Sequence, residues 1–479
     1  MYAFRMATSA PDPEAPFHPL FLNSRERSAV LGQTCRLIEH YINTVDTLRV
    51  ESIPSAFDLN GAVSRFDFNH PMRPDEAIRH VAEAMTSMQT HTAHARYFGL
   101  FNPAPSVMGI AGDALAAAFN TQLAAWTHAP FAVRTEQHLI RSLGSRFGGA
   151  FTSGAFTSGG AEANLTAILC ALLSHFPTFS RGGLRSLPKQ PIVYASAAAH
   201  HSLVKAVRVL GLGTEALHVV PCDETLGMDP RAFARMLTED RSAGLEPLMV
   251  AVTAGATATG IVERIRDIGT IAKAHGLWTH VDAAWGGFAA FVPELAEVLD
   301  GIEETDSITF DPHKMLSVPM GAGLFLTRHR DVLGRAFTVS ADYMPASADD
   351  NHADPFTHSF QWSRRFIGLK LLLSLAVAGW EGYAKVLRQQ TALGDALRRA
   401  LIRSGWRIVN DTKLPVVCFV PRSRDETPAQ IASEVQRGGR AWISAAALPD
   451  GTPVLRACIT NYRSTEDDVK SFVDDLGRG

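Results

Sequence analysis

Cysteine, long apolar runs and clusters of like charge are all scarce in this chain of 479 residues. The five cysteines form no C-x-x-C pair, which argues against a disulfide framework and against a zinc site, and favours a reducing, cytoplasmic location. They are Cys35, Cys170, Cys222, Cys418 and Cys458. The net charge of −3 includes no basic block, so nucleic acid and anionic membrane are poor candidates as partners. The most apolar window, 366–379, is too short to span a bilayer.

Short apolar runs typical of buried strands alternate with amphipathic segments typical of helices in the middle of the chain. Examples are the runs 192–196 and 248–253 and the helical segments 203–210 and 265–275. This alternation predicts an α/β domain with a mostly parallel sheet flanked by helices. In such a sheet the ligands gather at the carboxyl ends of the strands.

Two further apolar runs each end in a charged residue. Asp282 closes L-W-T-H-V-D, and Lys314 follows S-I-T-F-D-P-H. An aspartate and a lysine at one edge of a sheet suit pyridoxal 5′-phosphate, because the lysine forms a Schiff base and the aspartate keeps the pyridine nitrogen protonated. Either residue alone is more often a surface charge, so the assignment depends on whether the rest of a cofactor site is present.

A candidate phosphate cradle precedes both residues, in the segment A-F-T-S-G-G-A-E-A-N-L. Small residues before the predicted helix 162–173 let backbone N–H groups approach an anion at the helix N-terminus. The cradle would consist of Ser158, Gly159, Gly160 and Ala161. By itself the S-G-G sequence is more often an ordinary turn.

Two other side chains stand at strand ends between the cradle and the aspartate. His200 lies where the run 192–196 turns into a helix and could stack on a planar ring, or else bond to the backbone there. Thr257 follows the run 248–253 and is a candidate contact near the ring. Cradle, histidine, threonine, aspartate and lysine therefore occur in order, each after a predicted strand.

Four motifs of the chain, T-S-G-G-A-E-A-N, H-H-S-L-V-K-A, H-V-D-A-A-W-G-G and D-P-H-K, resemble those of the group II pyridoxal-phosphate-dependent amino-acid decarboxylases. That family includes the aromatic-L-amino-acid and glutamate decarboxylases. The resemblance runs from about His94 to Gly323 and, more thinly, from Gln361 to the end. It implies fold type I, a homodimer with active sites near the subunit interface, and decarboxylation of an L-amino acid. An aminotransferase or carbon–carbon lyase of the same fold is the alternative.

On this resemblance the chain divides into three parts. Residues 1–92 would form an N-terminal helical dimerisation segment, 93–370 the large cofactor-binding domain, and 371–479 a small C-terminal α/β domain. Helices are predicted at 23–48 and from Pro74. A polar, breaker-rich stretch predicts a mobile loop at about 341–360.

The resemblance also implies a role for each site residue. Lys314 holds the cofactor, Asp282 pairs with its ring nitrogen, His200 stacks on one ring face and Ala283 packs on the other, and His313 contacts the phosphate. Many relatives have a hydroxyl residue at the position of Ala161. One phosphate hydrogen bond is therefore expected to be missing, at a cost on the order of 1 kcal/mol.

Decarboxylases of this family carry a tyrosine on the mobile loop that protonates the α-carbon after carbon dioxide leaves. Counting back from the arginine pair 364–365 places that position near Pro355 or Phe356, and no tyrosine occurs between Tyr343 and Tyr383. Family members with phenylalanine there divert the reaction to oxygen-dependent deamination, which yields an aldehyde. The alternative is a shifted loop alignment, in which Tyr343 or His358 donates the proton.

The segment A-R-Y-F-G-L-F-N-P resembles the family stretch that lines the substrate side-chain pocket. Phe98 and Phe101 make it apolar, and Arg96 is its one basic residue. A buried acidic side chain would lack a partner there, so branched aliphatic or aromatic substrates are predicted. Arg456, in V-L-R-A-C, resembles the arginine that some relatives direct at the substrate carboxylate; a strand-edge arginine in an ion pair is the alternative.

Overall fold

The computed structural model describes residues 20, 22–339, 354–421 and 426–476. These residues form two compact units, one ending at His94 and the other beginning at Ala95. Asp282, Lys314 and all the other predicted site residues belong to the second unit. Tyr343 and most of the predicted mobile loop lie outside the described residues.

The first unit is helical. Its helices are α1 (Ser24–Thr44), α2 (Ala56–Ser64) and α3 (Pro74–Ser87). A capping box fixes the start of α1, because Asn23 Oδ1 accepts the Glu26 N–H while Glu26 Oε2 accepts the Asn23 N–H. Pro74 occupies the first turn of α3, where its missing N–H has no partner to lose. Both helices begin where the sequence predicts.

A seven-stranded sheet forms the centre of the second unit. Its strands are β1 (Ser153–Thr157), β2 (Pro191–Ser196), β3 (Leu217–Val220), β4 (Glu246–Thr253), β5 (Trp278–Asp282), β6 (Ser307–Phe310) and β7 (Gly323–Thr327). The order is β1-β7-β6-β5-β4-β2-β3, and only β7 runs antiparallel to its neighbours. The predicted mostly parallel sheet is confirmed.

Helices surround this sheet, and most of them pack their apolar sides on buried strand residues, whereas α4 packs on the helix that begins at Gly368. They are α4 (Val107–Phe119), α5 (Pro130–Gly144), α6 (Gly160–His175), α7 (Phe179–Gly182), α8 (Ser202–Val209), α9 (Pro230–Ser242), α10 (Ile265–Ala274) and α11 (Val332–Phe337). No single helix in the described ranges is long and apolar enough to cross a membrane, although the bent pair Gly160–His175 and Phe179–Ser186 together passes that test.

The C-terminal part is a smaller α/β layer with its own apolar core. The helical element α12 (Gly368–Arg403) begins it and crosses the predicted boundary at 370; its backbone breaks at Gly379, which has φ 63° and ψ 177°, so two helical segments meet there. The antiparallel sheet has the order β10-β11-β9-β8. The remaining elements are β8 (Trp406–Ile408), β9 (Val416–Pro421), α13 (Pro428–Gly438), β10 (Ser444–Ala447), β11 (Pro453–Cys458) and α14 (Glu466–Leu476).

Candidate active site

The carboxyl ends of β4, β5 and β6 bring the predicted aspartate and lysine to one edge of the large sheet. Asp282 ends β5 and pairs in register with Thr253 of β4 and Thr309 of β6. Lys314 follows β6 in a turn that its own N–H closes on the Asp311 carbonyl at 3.0 Å. Parallel strands therefore explain why residues 32 positions apart share one site.

The Lys314 side chain is held in place by charge and by the backbone turn that carries it. Its Nζ lies 3.0 Å from Asp311 Oδ2, and that carboxylate is almost completely buried. The turn after Lys314 is tied from α12, since the Tyr383 hydroxyl donates to the Leu316 carbonyl at 3.0 Å and Lys370 Nζ donates to the Met320 carbonyl at 2.8 Å. Because the turn is ordered, the Lys314 amine can move only by rotation about the bonds of its own side chain.

Two glycines, one in the cradle and one packed against it, leave little or no room for a larger side chain. A Cβ on Gly160, the first residue of α6, would lie 3.0 Å from Asp311 Oδ2. A Cβ on Gly323 would lie 2.5 Å from the Gly159 Cα. Ala161 in the first turn of α6 is exposed, whereas the N–H groups of Glu162 and Ala163 already donate to the Gly159 carbonyl at 3.1 and 3.3 Å. Ser158 is exposed as well, and its N–H and hydroxyl both donate to Glu162 Oε2 at 2.8 Å.

His313 forms one wall of this cradle. Its ring carbon Cε1 would be 3.4 Å from a Cβ on Gly159, and its Nδ1 donates to the Ala322 carbonyl at 2.7 Å. Burial lowers the pKa of His313, with the Asp311 carboxylate opposing that effect. The placement agrees with the predicted phosphate contact.

His200 lies beside the same edge, just before α8. The Ser202 N–H donates to His200 Nδ1 at 3.2 Å, so the backbone fixes the ring. The side chain is exposed on one side, yet surrounding atoms desolvate it enough to lower its pKa, while the charges of Asp282 and Lys314 act on it in opposite directions. A neutral imidazole facing those two residues is suited to stacking on a planar ring.

One predicted ring contact is placed differently by the structure. Ala283 is fully buried in the core and faces the position of a Gly287 Cβ, whereas the Ala284 Cβ lies 3.3 Å from a Cβ built on Gly160. Ala284 therefore replaces Ala283 beside the cradle. Thr257 is exposed on the connection after β4, and its contact with the ring stays a prediction. Strand alternation ends at Asp282, and only the course of the backbone beyond it decides which alanine turns inward.

The substrate end of the site is built around Phe101. Its ring stacks on Trp285 with centroids 4.6 Å apart, and Lys314 Nζ lies 5.9 Å from the ring centroid. Arg456 Cζ lies 4.8 Å from the same centroid, although this arginine comes from β11 of the C-terminal sheet. Phe98 does not share this position: it packs on Phe472 in the separate C-terminal core.

Arg456 is buried with part of its guanidinium unused. Its Nη1 donates to the Gly99 carbonyl at 2.8 Å and lies 3.3 Å from Ser444 Oγ. Its Nε and Nη2 are buried and have no partner among the described residues, and no described carboxylate pairs with it. The strand-edge ion pair considered above is therefore not what the structure shows. A buried cation with two free donors is costly unless an anion completes it.

The segment after the undescribed loop packs against the cradle helix. Gln361 Nε2 donates to both carboxylate oxygens of Glu162, at 3.0 and 2.9 Å. Phe356 is buried, with its ring 4.7 Å from that of Trp362 and its N–H donating to the Ala124 carbonyl. This position is a packed turn of the chain.

These residues fit pyridoxal phosphate on structural grounds. The glycine cradle that a Cβ would fill suits the phosphate, the buried Asp282 carboxylate suits a protonated pyridine nitrogen, and the Lys314 amine suits the aldehyde. The sequence missed Ala284 and the packing of Phe101 against Arg456. The second has no local signal, because Phe101, in the segment before α4, and Arg456, on β11, are far apart in the chain.

Comparison with known proteins agrees with this site. The family model for the pyridoxal-dependent decarboxylase conserved domain matches residues 63–422. Human cysteine sulfinic acid decarboxylase is 30% identical over 354 residues, which cover 72% of each chain, and the rat enzyme is 30% identical over 362 residues, covering 74% of this chain and 73% of its own.

Solved structures show the same fold. The crystal structure of mouse CSAD superposes with a TM-score of 0.88 at 25% identity, covering 94% of this chain and 98% of that chain. Oryza sativa TDC with PLP and tryptamine superposes with a TM-score of 0.89 at 23% identity, covering 96% and 99%. The chain belongs to the pyridoxal-dependent decarboxylase family.

Proposed function

We propose that this pyridoxal-phosphate-dependent decarboxylase acts on an L-amino acid with an apolar side chain, branched aliphatic or aromatic, and releases the amine and carbon dioxide. The observation that carries the proposal is the charge balance around Phe101. Arg456 supplies one uncommitted cation, which one α-carboxylate satisfies. The two other buried cations in the described part of this unit are already paired, Lys370 with Asp113 and Arg364 with Glu136.

The side chain of the substrate would then lie against aromatic surface. Phe101 and Trp285 present stacked rings beside Lys314, and both are almost fully buried. Aromatic walls gain free energy from covering apolar groups and offer no counter-charge to an acidic one. A neutral side chain therefore matches the described surroundings better than a second anion.

Each residue contributes binding, orientation or a proton. Pyridoxal phosphate, when bound, accepts the electron pair of the breaking bond between the α-carbon and the carboxylate. Arg456 orients that carboxylate, and Lys314 provides the amine that attaches the cofactor. Asp282 holds the proton on the ring nitrogen by electrostatic attraction, and His200 fixes the tilt of the ring. Phe101 excludes water from the substrate carboxylate.

A second candidate substrate class follows from the relatives. The human and rat enzymes of about the same length are named for cysteine sulfinic acid, which carries an anionic group on its side chain. Arg456 would serve that class if it bound the side-chain anion instead of the α-carboxylate. The two assignments differ in which substrate anion loses its partner when Arg456 is changed.

An amino-acid panel tests the proposal directly. Carbon dioxide, amine, keto acid and aldehyde would be measured with purified holoenzyme on L-valine, L-leucine, L-phenylalanine and L-tyrosine, and on L-cysteine sulfinate, L-aspartate and L-glutamate. The highest kcat/KM is expected for an apolar substrate. A preference for an acidic substrate would overturn the apolar class, and keto acid without carbon dioxide would indicate an aminotransferase.

The proton donor is a separate question, for which we favour Tyr343 over the Phe356 assignment. The Phe356 assignment would leave the α-carbon without a proton donor, but Phe356 packs against Trp362, as a structural residue does. Tyr343 lies outside the described residues, and His358 is half-buried beside Thr357, where desolvation lowers its pKa. A phenol with a pKa of ~10 remains protonated and able to donate at neutral pH.

Product partition under air and under nitrogen distinguishes the two positions. Tyr343→Phe is expected to divert most turnover to aldehyde, ammonia and peroxide under air, while Phe356→Tyr leaves the wild-type amine product unchanged. Aldehyde from the wild type, converted to amine by Phe356→Tyr, would restore the Phe356 assignment. Amine from all three proteins would point to His358.

We also propose that the protein works as a homodimer. In the first unit Phe57 and Phe68 are 85% and 94% exposed, and Ile53 and Val63 are also largely exposed. Such apolar side chains on a helical segment are expected to be covered by another surface. Sedimentation equilibrium should give twice the chain mass, and Phe57→Ser with Phe68→Ser should shift it towards monomer. A monomeric wild type would contradict the proposal.

A further inference from the structure

Asn164 is a fully committed buried amide next to the catalytic aspartate. Its Nδ2 donates to Asp282 Oδ2 at 2.8 Å and to Ser202 Oγ at 2.9 Å. Its Oδ1 accepts from Thr309 Oγ1 at 2.7 Å and lies 3.1 Å from His280 Nε2. An asparagine that uses both donors and both acceptor sites is fixed in one orientation.

The chemistry of the neighbours determines the direction of every hydrogen bond. The Asp282 carboxylate can only accept, so the NH₂ of Asn164 faces it, and the Asn164 oxygen can only accept, so His280 carries its proton on Nε2. His280 Nδ1 then accepts from Ser307 Oγ at 2.8 Å, which itself accepts from Trp278 Nε1 at 2.8 Å. Trp278, Ser307, His280 and Asn164 therefore all donate towards Asp282.

His280 remains neutral in this row. Burial lowers its pKa to about 4, although the Asp282 charge opposes that effect. At neutral pH the row therefore carries one negative charge, at Asp282, and its aligned hydrogen bonds polarise one another towards it. The second oxygen of Asp282 has only a long hydrogen bond, 3.2 Å from the Ala284 N–H. That oxygen retains acceptor capacity for a partner outside the row.

Asn164 also joins the parts of the site that would hold different ends of the cofactor. It lies one turn along α6 from Gly160, where the phosphate cradle begins. Through Ser202 it touches the start of α8, where the Ser202 N–H fixes His200. The Asn164 side chain therefore contacts Asp282, which is assigned to the ring nitrogen, and Ser202, whose backbone fixes the histidine assigned to the ring face.

We propose that Asn164 is a positioning residue that fixes the orientation of Asp282 and thereby keeps the ring nitrogen of pyridoxal phosphate protonated. The inference rests on the assignment of Asp282 to that nitrogen. Without the amide, Asp282 loses its shortest hydrogen bond, and His280 and Thr309 lose their acceptor. The carboxylate then has more than one arrangement available, and its contact with the ring nitrogen weakens.

Asn164→Ala provides the direct test, and Asn410→Ala is its matched control. Asn410 is also a buried asparagine with both donors in use, to the carbonyls of Thr259 at 2.7 Å and Val416 at 3.0 Å. Removing it costs a comparable set of hydrogen bonds away from Asp282. Thermal unfolding of the cofactor-free proteins would measure the structural loss that both variants share.

Two readouts report on the cofactor rather than on turnover. The ¹⁵N resonance of ring-labelled pyridoxal phosphate in the holoenzyme reports protonation of its nitrogen, and absorbance after dilution gives the rate of cofactor loss. Asn164→Ala should move the resonance towards the unprotonated value and accelerate cofactor loss roughly tenfold, the effect of one charged hydrogen bond. Asn410→Ala should leave both unchanged.

Thr309→Val keeps the test valid if Asn164→Ala fails to fold. Valine preserves the side-chain shape and removes one donor to Asn164, so a smaller shift in the same direction is expected. Asp282→Asn, measured in parallel, separates the inference from its basis. A resonance that moves in Asp282→Asn but not in Asn164→Ala or Thr309→Val would overturn the role of Asn164 alone. An equal shift of the resonance in Asn410→Ala would mean that general destabilisation causes the effect. An unchanged resonance in Asp282→Asn would mean that Asp282 does not pair with the ring nitrogen.

Discussion

The two ends of the active site differ in how completely their polar groups are satisfied. At the ring-nitrogen end, Asp282 lies at the end of a row of hydrogen bonds in which Asn164 uses all its donors and acceptors. At the substrate end, Arg456 has two buried donors without a partner in the described structure, and the Trp285 Nε1 donor beside it also has none. At the first end only one Asp282 oxygen is left for an outside partner, whereas at the second end buried donors have no partner at all within the described residues.

The difference indicates where variable chemistry enters. A satisfied network is rigid, because moving any member breaks several hydrogen bonds, and rigidity suits a cofactor that stays in place. Unpaired buried donors are costly, so they favour binding of a ligand that supplies acceptors. Cofactor support is therefore built into the fold, while substrate recognition is completed by the substrate.

The largest expected effect is at Lys314, which lies between the two ends. Lys314→Arg retains a cation beside Asp311 but offers no amine nucleophile, so cofactor attachment and carbon dioxide release should both be abolished. Borohydride reduction of the wild type followed by mass spectrometry should place the cofactor on the Lys314 peptide. Lys385→Arg, at an exposed position, should behave as wild type. A label on another lysine would contradict the site.

Asp282→Asn tests the satisfied end. The neutral amide cannot stabilise a protonated ring nitrogen, and kcat should fall roughly a hundredfold or more with little change in KM, because the interaction strengthens as charge enters the ring. Asp306→Asn is a suitable control, since Asp306 precedes β6 at the other end of the strand and bonds the Thr279 N–H. Wild-type turnover from Asp282→Asn would mean that another group holds the nitrogen.

Arg456→Gln tests the unsatisfied end. Loss of a charged partner for the α-carboxylate should lower kcat/KM by roughly 10- to 100-fold for every substrate in the panel. Arg407→Gln, an exposed arginine on β8 of the same small sheet, should have no effect. If the loss occurs only for acidic substrates, Arg456 binds their side chains, and the proposal for apolar substrates is wrong.

The smallest effect is a pH dependence of stability that comes from the satisfied row. Burial lowers the pKa of His280 from its ordinary 6.5 to about 4 in the folded protein, so its contribution to stability is present above pH 6.5 and is lost as the pH falls towards 4. Between pH 7.5 and 5 the loss should be about 2 kcal/mol of unfolding free energy, measured by urea denaturation. His280→Gln should abolish this loss of unfolding free energy, because glutamine does not titrate.

A second buried group, Glu263, changes stability with pH in the opposite direction, and its contribution must be separated from that of His280. Burial raises the pKa of Glu263 to about 7, so its contribution is present below pH 4.5 and is lost as the pH rises through 7. Glu263 contributes equally to the wild type and to His280→Gln, so its effect cancels when the unfolding free energies of the two proteins are subtracted at each pH. An identical pH slope in the two proteins would show that His280 does not titrate as its burial requires.

Residues carried by short motifs could be predicted from the sequence. Gly160, Asp282 and Lys314 each follow or end an apolar run, and a parallel sheet brings such ends together whatever the details of packing. The helix starts at Ser24 and Pro74 were also predictable, because capping side chains and proline act within one turn.

Side-chain direction beyond the strands could not be predicted. Ala283 and Ala284 are chemically identical, and the backbone after β5 turns the second towards the cradle. Phe98 and Phe101 share one apolar segment, yet they enter different cores. Periodicity carries no information where the chain is neither helix nor strand, so these choices required the folded structure.

The sequence by itself determined the fold class, the cofactor and the residues that attach it, because those depend on local patterns and on the general rule for parallel strands. The tertiary structure alone decided that Arg456 of β11 meets the ring of Phe101, and that Asn164, His280 and Ser307 direct their hydrogen bonds towards Asp282. Such contacts join residues that are distant in the chain. Their geometry is fixed by packing, for which the local sequence has no separate signal.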